Sequence, residues 1–380
     1  MTAGAALASD SEGVTILHEN GEGKAANPGR SPMYSMQAFL EGKLKLEEFA
    51  RSEEERPTVP HNVFDETLPI IDIGALKDGT PEERANNVAI MLEAAKSWGF
   101  FKITNHGVPL EVVKQVEVNG KEFFALPMER KLLVRAPDFV FGYTGGSPLT
   151  WKSKWWLEGL MIKVTDDALD ELVAQVYPDE GEFAARFKKD LKSFFSPMHE
   201  LSRFIVEELT QALGLERDSF TRLESPNSNC TGRMNHYPVC TDPDVVLGIP
   251  PHADTQMLGI LYQDDVGGLQ VLKDDEWVGI KPDDSTFVVN IGDTFQAVSN
   301  GILRSSPHRA VVNAKKDRYS TIYFYGIDNT ITLTVPTELV TEDRPLKYRP
   351  FTVSEHRKYI VDNEAPLHSA RHLLIDPQAT

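Results

Sequence analysis

The chain has 380 residues, 41% of them hydrophobic, enough to bury a sizeable core as one large domain or as two intimately packed parts. Its 39 Lys+Arg stand against 57 Asp+Glu, a net charge of −18, which argues against nucleic acid or an anionic membrane as partner because phosphate contacts need clustered positive charge. No run approaches the roughly 18 apolar residues of a membrane span, the first residues lack the basic start and apolar core of a secretory signal, and the two cysteines, Cys230 and Cys240, fit a reduced compartment with the cytoplasm as default.

In chain order, residues 1–32 are small, polar and glycine-rich and read as disordered. Ser35–Arg51 suits a short helix with Phe39, Leu44 and Phe49 on its apolar side, and Arg56-Pro57-Thr58-Val59-Pro60 reads as a linker, so residues 1–60 form an N-terminal extension. Residues 61–215 make a mainly helical region. It holds a strand at Leu68–Ile73, a helix at Pro81–Trp98, a strand at Phe100–Thr104 and a helix at Val112–Phe124. A loop at 139–161 carries Tyr143, Trp151, Trp155 and Trp156. A long helix at Glu182–Leu213 follows, its apolar residues stepping by three or four from Phe183 to Leu213. Gly214 stops that helix and Pro197 is positioned to bend it.

Residues 216–362 are strand-rich. Met257–Gln263, Gly268–Leu272, Trp277–Ile280 and Thr286–Ile291 are short strands, separated by Gly267-Gly268, Lys273-Asp274-Asp275 and Pro282-Asp283-Asp284 turns. Such spacing argues for a jelly roll. Glu355–Val361 suits one more short helix before a tail at 363–380. The expected fold is α+β: a double-stranded β-helix core braced by helices, with an N-terminal α/β region.

Onto the strand-rich part fall His252, Asp254 and His308. Side chains i and i+2 of an extended chain share a side, so His252 and Asp254 can reach one metal from a single strand end, with His308 returning on another strand. Two imidazoles and a carboxylate suit a non-haem Fe(II) site that leaves positions open. Arg318 and Ser320 follow, where a fixed cation could hold an acid co-substrate. A His/His/Asp set also binds zinc, as in a hydrolase, but that reading has no use for the Arg318-x-Ser320 pair.

Several stretches in register carry a resemblance: Leu68-Pro69-Ile70-Ile71-Asp72, Trp98-Gly99-Phe100-Phe101, Asn235-His236-Tyr237-Pro238, Pro251-His252-Ala253-Asp254, Val289-Asn290-Ile291-Gly292-Asp293 and His308-Arg309. Over residues 66–360 the chain resembles the plant-type 2-oxoglutarate- and Fe(II)-dependent dioxygenases. The resemblance implies that His252, Asp254 and His308 ligate Fe(II). It also implies that Arg318 pairs with the distal carboxylate of 2-oxoglutarate, a planar anion suited to a guanidinium fork. Ser320 and Tyr237 would hydrogen-bond that carboxylate, with Asn235 nearby. The implied reaction uses O2 and 2-oxoglutarate, with ascorbate as reductant, to hydroxylate a C–H bond. His236 replaces a tyrosine common at its position and reads as packing.

Trp156-Leu157-Glu158-Gly159-Leu160 and Leu149-Thr150-Trp151-Lys152 are similar to stretches of two gibberellin oxidase subfamilies. Expected substrate contacts are Trp151, Trp156, Tyr143, Phe295, Phe324 and Arg233, with Lys152 and Lys154 as further cations. The expected substrate is a small, largely apolar plant metabolite, a gibberellin or related diterpenoid acid first. Flavonoid, auxin-like and alkaloid substrates are alternatives, as is a non-catalytic small-molecule binder on the same fold. A monomer is the default.

Overall fold

The computed structural model describes residues 34–136, 141–226, 228, 230–363 and 369–375. The expected disorder of residues 1–32 and most of the tail after 363 lie outside the described residues.

In chain order the strands are β1 (Ile70–Asp72), β2 (Phe100–Thr104), β3 (Gly142–Thr144), β4 (Glu158–Lys163), β5 (Thr231–Tyr237) and β6 (Leu247–His252). They continue with β7 (Leu258–Gln263), β8 (Leu269–Lys273), β9 (Glu276–Gly279), β10 (Phe287–Ile291), β11 (His308–Val311) and β12 (Arg318–Tyr325). A large sheet runs β1-β2-β10-β7-β12-β5-β4-β3 and a small one β6-β11-β8-β9. Among the described strand pairs only β1–β2 is parallel. Strands from both the 61–215 and the 216–362 segments share the large sheet.

Period-2 alternation explains how one sheet serves two cores. Phe101 and Ile103 of β2, Ile260 and Tyr262 of β7, Val289 of β10, and Tyr323 and Tyr325 of β12 bury against helices in the main core. Phe100, Leu261 and Val288 point the other way and meet Leu269 and Val271 of the small sheet. A second inter-sheet cluster joins Tyr237 to Ile249 and Ala310. The result is the expected jelly roll, braced on one face by helices.

The helix Pro81–Ser97 opens on a capping box between Thr80 and Glu83 with Pro81 in its first turn. The long helix spans Gly181–Ala212 continuously through Pro197 and buries Phe187, Leu191, Phe194, Met198, Leu201, Ile205 and Leu209. The loop expected over 139–161 contains β3 and β4 instead, which extend the large sheet beyond β5. The helix expected over 35–51 divides into an α-helix, Ser35–Leu40, and a 3-10 turn, Leu46–Phe49. This segment packs onto the body: Met36 and Phe49 are fully buried, and Gln270 Nε2 donates to the Val59 carbonyl at 2.6 Å. Among the described residues no helix is long and apolar enough to cross a membrane.

Candidate active site

The register of β6 with β11 sets His252 directly opposite His308, their ring centroids 4.2 Å apart. His252 Nδ1 lies 2.9 Å from the Pro250 carbonyl and His308 Nδ1 lies 3.3 Å from that of Ser306. A carbonyl only accepts, so each Nδ1 carries the hydrogen and each Nε2 keeps a lone pair. Those two nitrogens face Asp254 Oδ1 and Oδ2 at 3.8 and 3.7 Å. One donor atom from each group falls within 4.8 Å of the others, a spacing that one ion with bonds of about 2.0–2.2 Å closes. Burial, helped by the neighbouring His308, pushes the His252 pKa down to about 4, so the imidazole is neutral at pH 7 and able to ligate.

Asp254 is itself held. Asn290 Nδ2 on β10 donates to its Oδ2 at 2.7 Å, and the Asp293 N–H donates to its backbone carbonyl at 2.7 Å. Gly292 makes this approach possible: a Cβ there would come within 2.0 Å of the Gln256 carbonyl oxygen. Support of this kind fixes the rotamer of a metal-binding carboxylate.

The second group of residues comes from facing alternation on β5 and β12. Arg318, Ser320, Ile322 and Phe324 share one side of β12; Arg233, Asn235 and Tyr237 share the same side of β5, paired in register. All seven line one inner chamber of about 110 Å³ together with His252, Asp254 and His308. Arg318 is 2% exposed and its guanidinium lies 4.7 Å over the Tyr237 ring. Nη2 donates to Gln263 Oε1 at 3.0 Å, whereas Nε and Nη1 are buried with no protein acceptor. Two orphaned N–H groups of a buried cation call for an anion. Ser320 Oγ accepts from Asn235 Nδ2 at 3.3 Å, and Asn235 Oδ1 accepts from Arg233 Nε at 2.8 Å, so the three are chained.

An outer chamber of about 620 Å³, within the usual ~300–1,000 Å³ of small-molecule pockets, adjoins the inner one and shares Trp155, Arg233, Asp254, Arg309 and Phe324 with it. Of the expected substrate contacts, Trp151 lines the outer chamber, and Phe324 and Arg233 line both. Tyr143, Trp156 and Phe295 do not line either chamber. Tyr143 lies in the core and donates to Glu158 Oε1 at 2.5 Å. Trp156 packs between Phe39 and Phe49 and donates to the Pro238 carbonyl at 2.9 Å. Phe295 sits on a short helix, Asp293–Val298, against Phe220. Lys154 is taken up by the carbonyls of Leu149 and Trp151, while Lys152 is exposed at the rim.

Sequence reasoning did not select Arg309 or Arg51 for the site. Arg309 stacks 4.1 Å over Trp277, donates through Nε to Gln270 Oε1 at 2.8 Å, and has Nη2 buried without a partner. Burial lowers its pKa to about 10. It reaches the chambers next to His308 where the β6–β11 register shifts, an irregularity that strand alternation does not signal.

His236, expected as a packing residue, lies on the far side of β5 and is the hub of a buried polar network. It meets Glu158 Oε2 at 2.9 Å and Asp317 Oδ2 at 3.1 Å and stacks 4.7 Å from Tyr319. Lys131 Nζ reaches the other Glu158 oxygen at 2.5 Å. Burial opposes a charge on His236, but the hydrogen bonds to Asp317 and Glu158 outweigh it and raise its pKa above 6.5.

Residues 228–327 match the 2OG-Fe(II) oxygenase superfamily, and residues 68–180 match the N-terminal region of non-haem dioxygenases of morphine synthesis. Gibberellin 2-beta-dioxygenase 8 of Arabidopsis thaliana is 33% identical over 301 residues, 78% of this chain and 82% of that one. The chain belongs to the 2-oxoglutarate- and Fe(II)-dependent oxygenases. Gibberellin 20 oxidase 2 of Oryza sativa subsp. indica is 37% identical over 268 residues, 70% of this oxygenase and 69% of the relative. Among solved structures, JOX2 in complex with 2OG, Fe and JA superposes with a TM-score of 0.76 at 30% identity, covering 91% of this oxygenase and 98% of JOX2. The rice dioxygenase for auxin oxidation follows at 0.69 and 26%, covering 81% and 99%. The protein is therefore an oxidoreductase with a jelly-roll core. Its facing imidazoles, supported carboxylate and partly unsatisfied guanidinium fit the iron and 2-oxoglutarate that give the family its name.

Proposed function

We propose that His252, Asp254 and His308 hold Fe(II), that Arg318, Ser320 and Tyr237 hold 2-oxoglutarate, and that the outer chamber receives a gibberellin or related diterpenoid acid. When bound, the iron would supply the oxidising chemistry, with O2, 2-oxoglutarate and a C–H bond giving succinate, CO2 and a hydroxylated product, and ascorbate would serve only to keep the iron reduced. The observation that carries the co-substrate assignment is the pair of unsatisfied nitrogens, Nε and Nη1, on Arg318, a residue that lines the small inner chamber. Ser320, whose oxygen already accepts from Asn235, keeps its own hydrogen for the same carboxylate. Asn290 holds Asp254 in place, and Asn235 links Ser320 to Arg233.

The substrate assignment rests on the outer chamber and on the gibberellin-oxidising relatives. Trp151, Trp155, Trp277 and Phe324 suit an apolar ring skeleton, and Arg233, at the junction with the inner chamber, suits its carboxylate. A second reading, a smaller acid such as JA or an auxin, is favoured by the likeness to JOX2. The acidic composition and the two cysteines support a cytoplasmic enzyme, with a monomer as the starting state.

The test is succinate formation from 2-oxoglutarate with Fe(II) and ascorbate, read beside product mass, across diterpenoid acids, JA-like acids, indole acids and flavanones. Coupled turnover with a product one oxygen heavier is expected for a diterpenoid acid. Coupling to another class alone would overturn the substrate assignment and leave the cofactor assignment standing.

A further inference from the structure

Behind the large sheet, away from both chambers, a third set of donors converges. His199 comes from the long helix Gly181–Ala212, Glu224 from the turn after the 3-10 segment Thr221–Leu223, and Cys230 from the residue before β5. One nitrogen, one oxygen and one sulfur from these side chains lie within 4.8 Å of one another. None is fully buried, and all three line a surface groove of about 410 Å³ that also contains Tyr323.

The surroundings resemble a supported ligand set. His199 Nδ1 is 2.8 Å from the Tyr323 hydroxyl, which can donate or accept there, and its Nε2 faces Glu224 Oε1 at 3.2 Å. The second Glu224 oxygen is paired with Arg203 Nε at 3.4 Å, leaving Oε1 beside the imidazole. Cys230 Sγ is tethered 3.2 Å from the Gly326 carbonyl. In metal centres, one imidazole nitrogen is typically bound from outside and the carboxylate braced by a neighbour, while the remaining atoms face the ion. A mixed nitrogen, sulfur and oxygen set suits a borderline-soft divalent ion, and three protein ligands in an open groove leave a fourth position for water. A thiolate and a carboxylate would together balance the charge of a divalent ion.

We propose that His199, Glu224 and Cys230 form a second metal site, for a divalent ion of the zinc class, distinct from the iron centre. On binding, the Cys230 thiol releases its proton to solvent and the metal–sulfur bond replaces the S–H bond, with no change of oxidation state. The ion would tie the long helix to the start of β5 and sit beside Tyr323, whose neighbours Ile322 and Phe324 face the chambers on the opposite side of β12.

Co²⁺ titration of full-length Asp254→Ala protein, prepared metal-free under argon, tests this. The variant weakens the iron centre, and that centre contains no sulfur, so a thiolate-to-cobalt absorption band reports the second site alone. The band should saturate at one Co²⁺ per chain, vanish when Cys230→Ser is added, weaken when His199→Gln is added, and persist with Cys240→Ser. Circular dichroism establishes that each variant is folded, and His199→Gln carries the test if Cys230→Ser unfolds. No band, or a band unchanged by Cys230→Ser or by His199→Gln, overturns the proposal. Either result leaves the reading of the catalytic centre untouched, because that reading is tested by succinate formation in the wild-type protein.

Discussion

The inner and outer chambers adjoin, yet they are built differently. Apart from Trp155, the residues of the inner one are carried on, or within two residues of, the strands β5 to β8, β11 and β12, so each donor is set by sheet register: His252 against His308, Tyr237 against Arg318, Asn235 against Ser320. The outer one is walled largely by segments outside the sheets, residues 48–55 with their short 3-10 turns and residues 151–155, and by the helix Val353–Asn363 through Ile360 and Val361. On the proposed assignment, reaction chemistry, which tolerates little positional error, sits on hydrogen-bonded ladders, whereas selectivity sits on connections that can change without disturbing those ladders.

The comparison is broken or sharpened by substitutions on each side. Asp254→Ala should abolish succinate formation with every substrate while the protein remains folded, since it removes the carboxylate between the two imidazoles. Retained turnover would detach the inner chamber from catalysis. Arg318→Met should weaken 2-oxoglutarate by about 2–5 kcal/mol, the usual cost of removing one side of a buried charge pair, seen as a raised KM for 2-oxoglutarate at unchanged iron content. Asn290→Ala should lower iron affinity or activity roughly 10- to 100-fold, as removal of outer support does, measured by iron titration. Arg233→Met should cost an acid substrate about 1.5–3 kcal/mol, the scale of a hydrogen bond to a charged group, with substrate-free decarboxylation of 2-oxoglutarate preserved. If the KM for 2-oxoglutarate rises equally, the two chambers are one functional unit.

The smallest effect concerns the scaffold behind the inner chamber. The native His236 pKa lies above 6.5, so charged His236 stabilises the fold fully below that value, and the contribution fades as pH rises through the native pKa. His236→Gln should flatten the fall of the thermal midpoint as pH rises past about 6.5, relative to wild type. An unchanged slope would show that the Glu158–His236–Asp317 bridge is not charged.

Legibility followed the same division. The strands of residues 257–291 and the main helices are legible because alternation and 3.6-residue spacing are local signals, and His252 and Asp254 pair because they stand two apart; the roles of Arg318 and Ser320 are legible only through the family resemblance. Strand β3 spans three residues, too few for a period to register, and without it Tyr143 reads as a loop aromatic rather than a core one. Trp155 and Trp156 are neighbours of the same type. Only the packing of Phe39 and Phe49, far away in sequence, draws Trp156 from the chamber and leaves Trp155 lining it. Arg309 depended on a register shift, and Arg51 on the folding back of residues 34–60, where it donates to Ser153 and to the Lys154 carbonyl at 2.9 Å.

That last contact has an evolutionary reading. A peptide from early in the sequence is stapled by Arg51 to residues 153–154 in the wall of the outer chamber, which Ile360 and Val361 from late in the sequence also line. Neither stretch contributes a rung to the barrel. New preferences can therefore be tried by exchanging these two borders between related enzymes, while the inherited reaction machinery is left intact.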